Sequence, residues 1–196
     1  MRKKLIILSL TLAMSFVISA PISSVNAGGK KNRINWRIAG TIVQFIDVTP
    51  PGSIDPEPKS LINLTAYGPP GLAKITLLSK TGEIPTAPDQ DCIDKGYVDL
   101  AYNFVENDFI ALFPDQSLLF ASIHEDGGFL CFNFSRGESY FKVKMNITGG
   151  KGRFEGASGG FTATGNGYFI NPFGTPPSDN TLVGENGRVK GWIDFD

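Results

Sequence analysis

Few residues of this chain could take part in chemistry, and they are scattered along it. The one histidine, His124, is followed by Glu125 and Asp126, and all three side chains can ligate a metal ion. A single histidine at the end of a hairpin is usually solvated, and no second histidine completes the ligand set of a zinc site. We therefore predict no metal site at this position.

Three carboxylates, Asp89, Asp91 and Asp94, lie close together in the sequence and raise the question of a calcium loop. Ile93 stands where the EF-hand pattern has Asp or Asn, and the glycine and the distal glutamate of that pattern are missing. A polar loop without a bound ion is the better interpretation, and we predict no metal ligand here.

The run Gly149-Gly150-Lys151-Gly152 superficially suggests a phosphate-binding loop. A Walker loop needs Gly-Lys followed by Ser or Thr at the start of a helix, whereas Lys151 precedes a glycine in a strand context. The dinucleotide fingerprint would need a third glycine where Glu155 stands. Neither pattern is met, so we predict no nucleotide-binding residue and no cofactor.

The two cysteines, Cys92 and Cys131, are better explained by structure than by catalysis. His124 does not form a recognisable Cys–His motif with either of them, and we predict no catalytic residue in the chain. In an exported protein an even number of cysteines indicates a disulfide. The bond would close a loop of about 40 residues, which contributes roughly 3–4 kcal/mol in the chain-entropy model. Two free thiols are the alternative.

The start of the chain has the pattern of a secretory signal peptide. Basic residues at 2–4 precede an apolar run over 5–20, and Val25 and Ala27 occupy the −3 and −1 positions of a cleavage site. The apolar run is short for a membrane span. We predict cleavage near Ala27, a secreted or periplasmic location, and no membrane span.

The part that remains after cleavage has the size of one domain. Removing residues 1–27 takes away three of the 18 basic residues and none of the 19 acidic ones. The mature chain is therefore mildly acidic, which argues against nucleic acid as a partner. Residues 28–196 are numerous enough for a single domain with its own core.

The elements that must position these residues are strands, because apolar residues alternate with polar ones and helical periodicity is nearly absent. Pro-rich or Gly-rich stretches at 49–59, 81–95 and 171–187 predict three long loops. A turn at Asp126-Gly127-Gly128 predicts a hairpin. The predicted strands cover residues 34–48, 61–67, 72–79, 98–104, 109–113, 118–123, 129–134, 140–147, 160–170 and 189–195.

The glycine-rich stretch over 148–167 is the strongest indication of how these strands are arranged. Glycine at this density is tolerated where a positive φ, a bulge or a close backbone approach is needed. It predicts a sharply bent strand–turn–strand element, of the kind that closes a barrel. A closed antiparallel β-barrel of about eight strands is the favoured fold, and a two-sheet β-sandwich is the alternative. The structural motif comprises Gly149, Gly150, Gly152, Phe154, Gly156 and Gly159.

The run ITGGKGRFEGASG over 147–159 resembles the ITGGTGRFxGASG signature of small exported bacterial proteins, which are related to the allene oxide cyclase and dirigent barrels. The resemblance covers residues 97–170 and implies an eight-stranded antiparallel barrel with a lumen. It also implies a trimeric homo-oligomer, and an apolar oxylipin or a phenoxy radical as the kind of molecule that the plant enzymes handle. No pair of an acidic residue and an asparagine in 34–48 matches the catalytic first strand of the cyclase, so no catalytic residue is carried over.

The aromatic residues supply candidates for the lining of a lumen. Most of the 15 phenylalanines, five tyrosines and two tryptophans should pack in the core. Trp36, Tyr102 and Phe132 are the candidates for a ligand cavity, although an eight-stranded barrel is compatible with a filled interior as well as a hollow one. The favoured function is an exported non-enzymatic barrel that binds a small apolar ligand or a partner, in its lumen or through its long loops. The alternative is an isomerase, a cyclase or a dirigent-like enzyme acting on an apolar substrate.

Overall fold

The computed structural model describes residues 31–47, 58–169 and 182–195. The predicted signal peptide over 1–27 lies outside this part of the chain, and so do most of the predicted loops at 49–59 and 171–187. Among the residues that are described, no helix is both long enough and apolar enough to cross a membrane.

Eight strands form one sheet that closes on itself. Each strand pairs antiparallel with the next along the chain, and the last strand pairs with the first. This closure confirms the prediction of an all-β antiparallel barrel and excludes the two-sheet sandwich. The strands are β1 (Asn32–Asp47), β2 (Pro58–Tyr67), β3 (Ala73–Thr81), β4 (Leu100–Leu112), β5 (Leu118–Asn133), β6 (Glu138–Lys151), β7 (Ala157–Phe169) and β8 (Leu182–Phe195), and one short helix, α1 (Gln90–Asp94), lies between β3 and β4.

Because the strands are antiparallel, their connections alternate between the two ends of the barrel. The β2–β3, β4–β5 and β6–β7 connections are short and lie at what we call the turn end. The β3–β4 connection, with α1 and the disulfide, lies at the opposite end, which we call the loop end. Along each strand the alternation predicted from the sequence separates the two faces. On β1, for example, Ile34 and Trp36 are buried while Arg33 and Asn35 are exposed.

Large aromatic side chains close the turn end. Trp36 is fully buried, and its Nε1 donates a hydrogen bond to the carbonyl oxygen of Gly71 at 2.9 Å. The ring of Phe113 lies 6.1 Å from that of Trp36 and 4.6 Å from that of Phe154. We call Trp36, Phe113 and Phe154 the aromatic plug, because they fill the barrel at this end.

The glycine-rich segment makes the corner between β6 and β7. Gly149, Gly152, Gly156 and Gly159 have φ angles of 138°, 67°, 72° and 116°, in the region that side-chain-bearing residues rarely adopt. Between them, residues 152–154 form one turn of 3₁₀ helix that carries Phe154 into the aromatic plug. The composition of this segment thus encodes the sharp corner that we predicted.

The prediction of a hairpin at Asp126-Gly127-Gly128 is wrong. Ile123 pairs with Met145 and Gly128 pairs with Val143, so β5 continues in one direction and residues 124–127 bulge out of it. The register of β4 against β5 shifts at the same level, and the predicted strands 98–104 and 109–113 belong to one strand. A bulge uses the same Asp-Gly chemistry and positive φ as a turn, and Gly127 has a φ of 59°. Local sequence therefore cannot separate the two.

The prediction of a loop over 171–187 is wrong at its end, since β8 already begins at Leu182. Residues 182–187 have the glycine and asparagine content of a loop, yet they form ladders with β1 on one side and β7 on the other. At one point in the ladder between β7 and β8, glycine is paired with glycine, Gly165 with Gly187. Two ladders and this close approach outweigh the low strand propensity of the residues.

A second apolar cluster covers the outside of β4, β5 and β6. Cys92 and Cys131 form the predicted disulfide. They pack with Tyr97, Ala101 and Tyr140 beneath the β3–β4 connection. The predicted loop at 81–95 contains α1, which the sequence analysis did not predict.

The contact of β7 with β8 gives a test of the close approach. A Cβ at Gly165 would lie 2.2 Å from the carbonyl oxygen of Asn186 and 2.6 Å from the ring of Phe141. We expect Gly165→Ala to lower the free energy of unfolding by about 3 kcal/mol, because backbone and a packed ring must both move. Urea unfolding, followed by tryptophan fluorescence, measures this change.

Gly82→Ala is the matched control. The nearest atoms to a Cβ at Gly82 are 3.8 Å away, so this substitution should change the free energy of unfolding by less than about 1 kcal/mol. Equal effects of the two substitutions would contradict the close packing of β7 against β8.

Candidate functional site

The barrel is hollow between the aromatic plug and the loop end. A cavity of about 70 Å³ lies there, lined by twenty of the described residues. This volume exceeds the roughly 10–15 Å³ that one water molecule needs, and it is smaller than the roughly 300–1,000 Å³ of pockets that hold drug-sized ligands. Fifteen of the lining side chains are apolar: Ile38, Ile42, Ile62, Leu64, Ile75, Leu77, Phe104, Phe109, Leu130, Phe141, Val143, Met145, Phe161, Ala163 and Val189.

Several inward positions beside the cavity carry no side chain. By the alternation of their strands, Gly40, Gly165 and Gly187 occupy such positions on β1, β7 and β8. Ala163 and Ser79 add only small side chains. At each of these glycines a Cβ would lie 2.0–2.4 Å from a backbone carbonyl oxygen of the neighbouring strand, so the glycines bring the strands close together and the cavity lies beside them.

Glu185 is the one titratable side chain among the described residues that line the cavity. It is 9% exposed, and its partners across the neighbouring strands are Gly40 and Gly167, which have no side chain. Burial away from water raises the pKa of Glu185 from 4.5 to about 8, because the charged carboxylate is disfavoured in apolar surroundings. At neutral pH most molecules hold this group as a neutral carboxylic acid, which can donate a hydrogen bond.

Asn107 is a second polar group inside the barrel. Its side chain is 2% exposed, and its Nδ2 has no hydrogen-bond partner. Leaving a buried donor unpaired costs about 1–3 kcal/mol. Ser79, which is also buried, is its register partner on β3. Asn107 on β4 and Glu185 on β8 are four strands apart in an eight-stranded ring, so they stand on opposite walls of the same cavity.

The sequence analysis missed both polar residues, and each omission has an identifiable cause. Glu185 fell within the predicted loop 171–187, and Asn107 fell in the gap between the predicted strands 98–104 and 109–113. The signal that could have found them is the alternation itself. Continued backwards from Phe109 and Val189 in steps of two, it reaches the inward positions of Asn107 and Glu185.

The three residues predicted to line a lumen occupy other parts of the interior. Trp36 belongs to the aromatic plug. Tyr102 and Phe132 lie near the loop end and contact each other edge to face, with their ring centroids 6.1 Å apart. Phe132 also stacks on Phe169 at 5.8 Å. The structure thus brings Tyr102 and Phe132 together, and none of the three is among the cavity-lining residues.

The histidine trio lies on the bulge of β5, outside the barrel. The potential ligand atoms of His124, Glu125 and Asp126 lie within 4.8 Å of one another. The Asp126 carboxylate accepts a hydrogen bond from Lys144 Nζ at 2.6 Å, and His124 Nδ1 accepts one from the Asp126 amide at 3.0 Å. Protein groups thus already bind one potential ligand atom of His124 and one of Asp126.

The acidic cluster at 89–94 is explained by α1. Asp89 caps the helix by accepting hydrogen bonds from the amides of Asp91 and Cys92. Asp91 forms ion pairs with Lys95 and with Lys142, the latter at 3.1 Å, and the hydrogen bond from Lys95 is the main cause that lowers the pKa of Asp91. These contacts fasten α1 to the outer face of β6.

Fold and site together define a closed eight-stranded barrel with a small, mostly apolar cavity whose lining includes the buried polar residues Ser79, Asn107 and Glu185. Comparison of the chain with models of protein families, with curated proteins and with solved structures gives no match. What the cavity does therefore has to be argued from its own residues.

The buried carboxyl group predicts an unusual pH dependence of stability. The pKa of Glu185 is about 8 in the folded state and near its ordinary value when unfolded, so between these values the folded state holds the extra proton. The protonated Glu185 therefore contributes to the free energy of unfolding. This contribution is fully present below about pH 4.5 and is lost as pH rises to about 8, by up to roughly 1.4 kcal/mol per pH unit.

The measurement is urea unfolding at several pH values for the wild type and for Glu185→Gln. The difference in the free energy of unfolding between the two should grow in favour of Glu185→Gln from about pH 5 to pH 8, because the amide cannot ionise. The exposed Glu83→Gln serves as control and should follow the wild type. A constant difference across this range would show that Glu185 is solvated.

Proposed function

We propose that this protein is an exported, non-enzymatic barrel that binds a small apolar ligand in its lumen. The single observation that carries the proposal is the cavity, with fifteen apolar side chains and a few buried polar groups. Binding sites for small molecules commonly combine an apolar lining with a small number of placed polar groups. Burying a methylene group in such a lining contributes about 0.8 kcal/mol.

The volume of the cavity limits the size of the ligand. A volume of about 70 Å³, below the roughly 300–1,000 Å³ of pockets for drug-sized molecules, favours a small ligand with a short chain over a fused-ring one. Met145 and Leu77 add adaptable side chains to this lining, and Met in particular fills and vacates irregular space easily.

Export is part of the proposal and has two supports. One is the signal-peptide pattern over residues 1–27. The other is the disulfide between Cys92 and Cys131, because such bonds persist in oxidising compartments. Membership of the allene oxide cyclase and dirigent-like barrels, with the trimer that it implies, is likewise a proposal. It is supported by the glycine motif at the β6–β7 corner together with the eight-stranded closure.

Filling the cavity tests lumen binding. Ala163 lines the cavity, so Ala163→Leu should occupy much of the free volume and weaken binding of a straight-chain apolar ligand at least tenfold. The measurement is a titration of ¹⁵N-labelled protein with short-chain ketones and alkanes, followed through the backbone amides of the lining residues.

Ala39→Leu is the matched control, because Ala39 lies on β1 and is exposed on the outside of the barrel. It should bind like the wild type. Equal binding by both variants would place the ligand outside the lumen, and the absence of any saturable shift in the wild type would contradict the proposed function.

Glu185 is the observation that favours the second candidate, an isomerase or cyclase acting on an apolar substrate. A neutral carboxylic acid in an apolar cavity can protonate or hydrogen-bond a substrate oxygen. If this candidate is correct, incubation with an unstable apolar epoxide should alter the stereochemistry of the products, and Glu185→Gln should abolish the change. Chiral chromatography measures the product ratio, and a ratio equal to that of the uncatalysed reaction would count against an enzyme.

A further inference from the structure

A group of cations lies on the outside of the two strands that close the barrel. Four exposed basic residues form it, two on β1 and two on β8: Arg33, Arg37, Arg188 and Lys190. The register sets Arg37 directly opposite Arg188, and it sets Lys190 opposite Asn35. Alternate residues of a strand are about 7 Å apart and paired strands about 5 Å apart, so the four charges share one small area. We call these four residues the cationic stripe.

The cationic stripe lacks acidic partners. In the part of the chain that the structure describes, none of its four residues forms an ion pair, since the salt bridges there belong to other cations. Residues 31–42 and 186–193 contain five basic residues and no acidic one, although the chain as a whole has a formal charge of −1. The flanking strands β2 and β7 contain no acidic residue either. The first outward acidic residue along β8 is Asp194, which lies beyond Trp192.

Arg37 and Arg188 form an unfavourable pair when no anion is present. In a directly opposite cross-strand pair the Cβ atoms are about 5 Å apart, and like charges at that position are destabilising. The pair lies in the ladder that closes the barrel. Arginine keeps its charge at every ordinary pH, so the repulsion has to be offset by anions from outside the described chain. The arrangement therefore fits an anionic partner that lies over both guanidinium groups.

Two exposed aromatic side chains flank the cationic stripe. Trp192 is 47% exposed and pairs with Arg33, and Tyr67 is 58% exposed and pairs with Arg37. Lys31 Nζ lies 5.5 Å from the centroid of the Trp192 ring and adds a further cation. Trp and Tyr are enriched at membrane–water interfaces, because each combines an apolar ring with a polar N–H or O–H group. The outside of a barrel is convex, so it meets a flat surface along about two strands, which is the width of the stripe.

We propose that the outside of β1 and β8 docks on the surface of an anionic phospholipid bilayer. The cationic stripe lies over the lipid phosphates, and Trp192 and Tyr67 enter the headgroup region beside it. Each basic side chain near an anionic membrane surface contributes about fivefold to the affinity. Four of them give reversible binding that weakens as salt is added, because exposed charges are screened. This inference goes beyond the proposed function, since the residues that carry it face away from the lumen.

An acidic polymer in solution, such as polyphosphate, is the alternative partner. It would neutralise the same four cations, but it offers no apolar phase to the rings of Trp192 and Tyr67. The two exposed aromatic side chains therefore favour the bilayer.

The test measures binding of the exported protein, purified after processing, to vesicles. Vesicles of equal parts phosphatidylglycerol and phosphatidylcholine are compared with vesicles of phosphatidylcholine alone by co-sedimentation. The anionic vesicles should bind more tightly, by at least about a hundredfold at low salt, and the difference should decrease as salt is added.

Tryptophan fluorescence gives a second measurement of the same binding. Trp36 is fully buried, so a blue shift on addition of anionic vesicles reports Trp192. Lipids with brominated acyl chains should quench this emission, because the ring enters the interface. Trp192→Phe should remove both the shift and the quenching.

Substitutions assign the binding to the cationic stripe. Arg37→Gln combined with Arg188→Gln should weaken binding to the anionic vesicles about thirtyfold, because two of the cations are lost. Both side chains are exposed, and their replacement removes a like-charge contact, so this variant should fold as the wild type does, which near-ultraviolet circular dichroism checks. Lys74→Gln combined with Lys80→Gln is the matched control. It removes the same charge from β3 and should bind within about twofold of the wild type.

Three outcomes would overturn the membrane inference. The first is equal affinity for the two kinds of vesicle, and the second is an equal loss of binding in the two double variants. The third is binding to soluble polyphosphate without binding to vesicles, which would assign the cationic stripe to an anionic polymer. None of these outcomes bears on ligand binding in the lumen, which Ala163→Leu tests separately.

Discussion

The ladder between β8 and β1 is the interaction on which the rest of this structure depends. It runs from the pair Asn32–Ile193 to the pair Val43–Leu182, and it turns an eight-stranded sheet into a ring without free edges. An open sheet would expose unpaired backbone groups on both outer strands, and its inward face would have no opposite wall. Closure therefore creates the interior, and the burial of each inward side chain follows from it.

Closure also decides where the interior is filled and where it is hollow. At the turn end, the ring of Phe113 contacts the rings of both Trp36 and Phe154, and these three large side chains fill the interior. Nearer the loop end, close strand contacts such as that of Gly165 with Gly187 require glycine, and glycine adds nothing to the interior. These glycines bring neighbouring strands close together, and the cavity lies beside them, where Ala163 and Ser79 contribute only small side chains to its lining.

Glu185 can be buried in this cavity because its surroundings keep its carboxyl group protonated. Glu185 faces apolar side chains and glycines, so it keeps its proton at neutral pH. A neutral acid costs far less to bury than a carboxylate, and it still offers a hydrogen bond. The outer cluster around Cys92 and Cys131 is separate from this chemistry. It holds the β3–β4 connection against the outside of the barrel.

The sequence by itself determined the strand class, the inward face of β1, the corner at 149–159 and the pairing of Cys92 with Cys131, because alternation, glycine spacing and an even cysteine count are local or compositional signals. It could not determine that Asp126-Gly127-Gly128 is a bulge or that Glu185 lies in a strand, since bulges and turns share residues and loop-like composition is overridden by pairing. Only the tertiary structure decided those points. The partners that hold Glu185 in place come from β1, more than a hundred residues away in the chain, and from β7, and their ladders exist only once the barrel is closed.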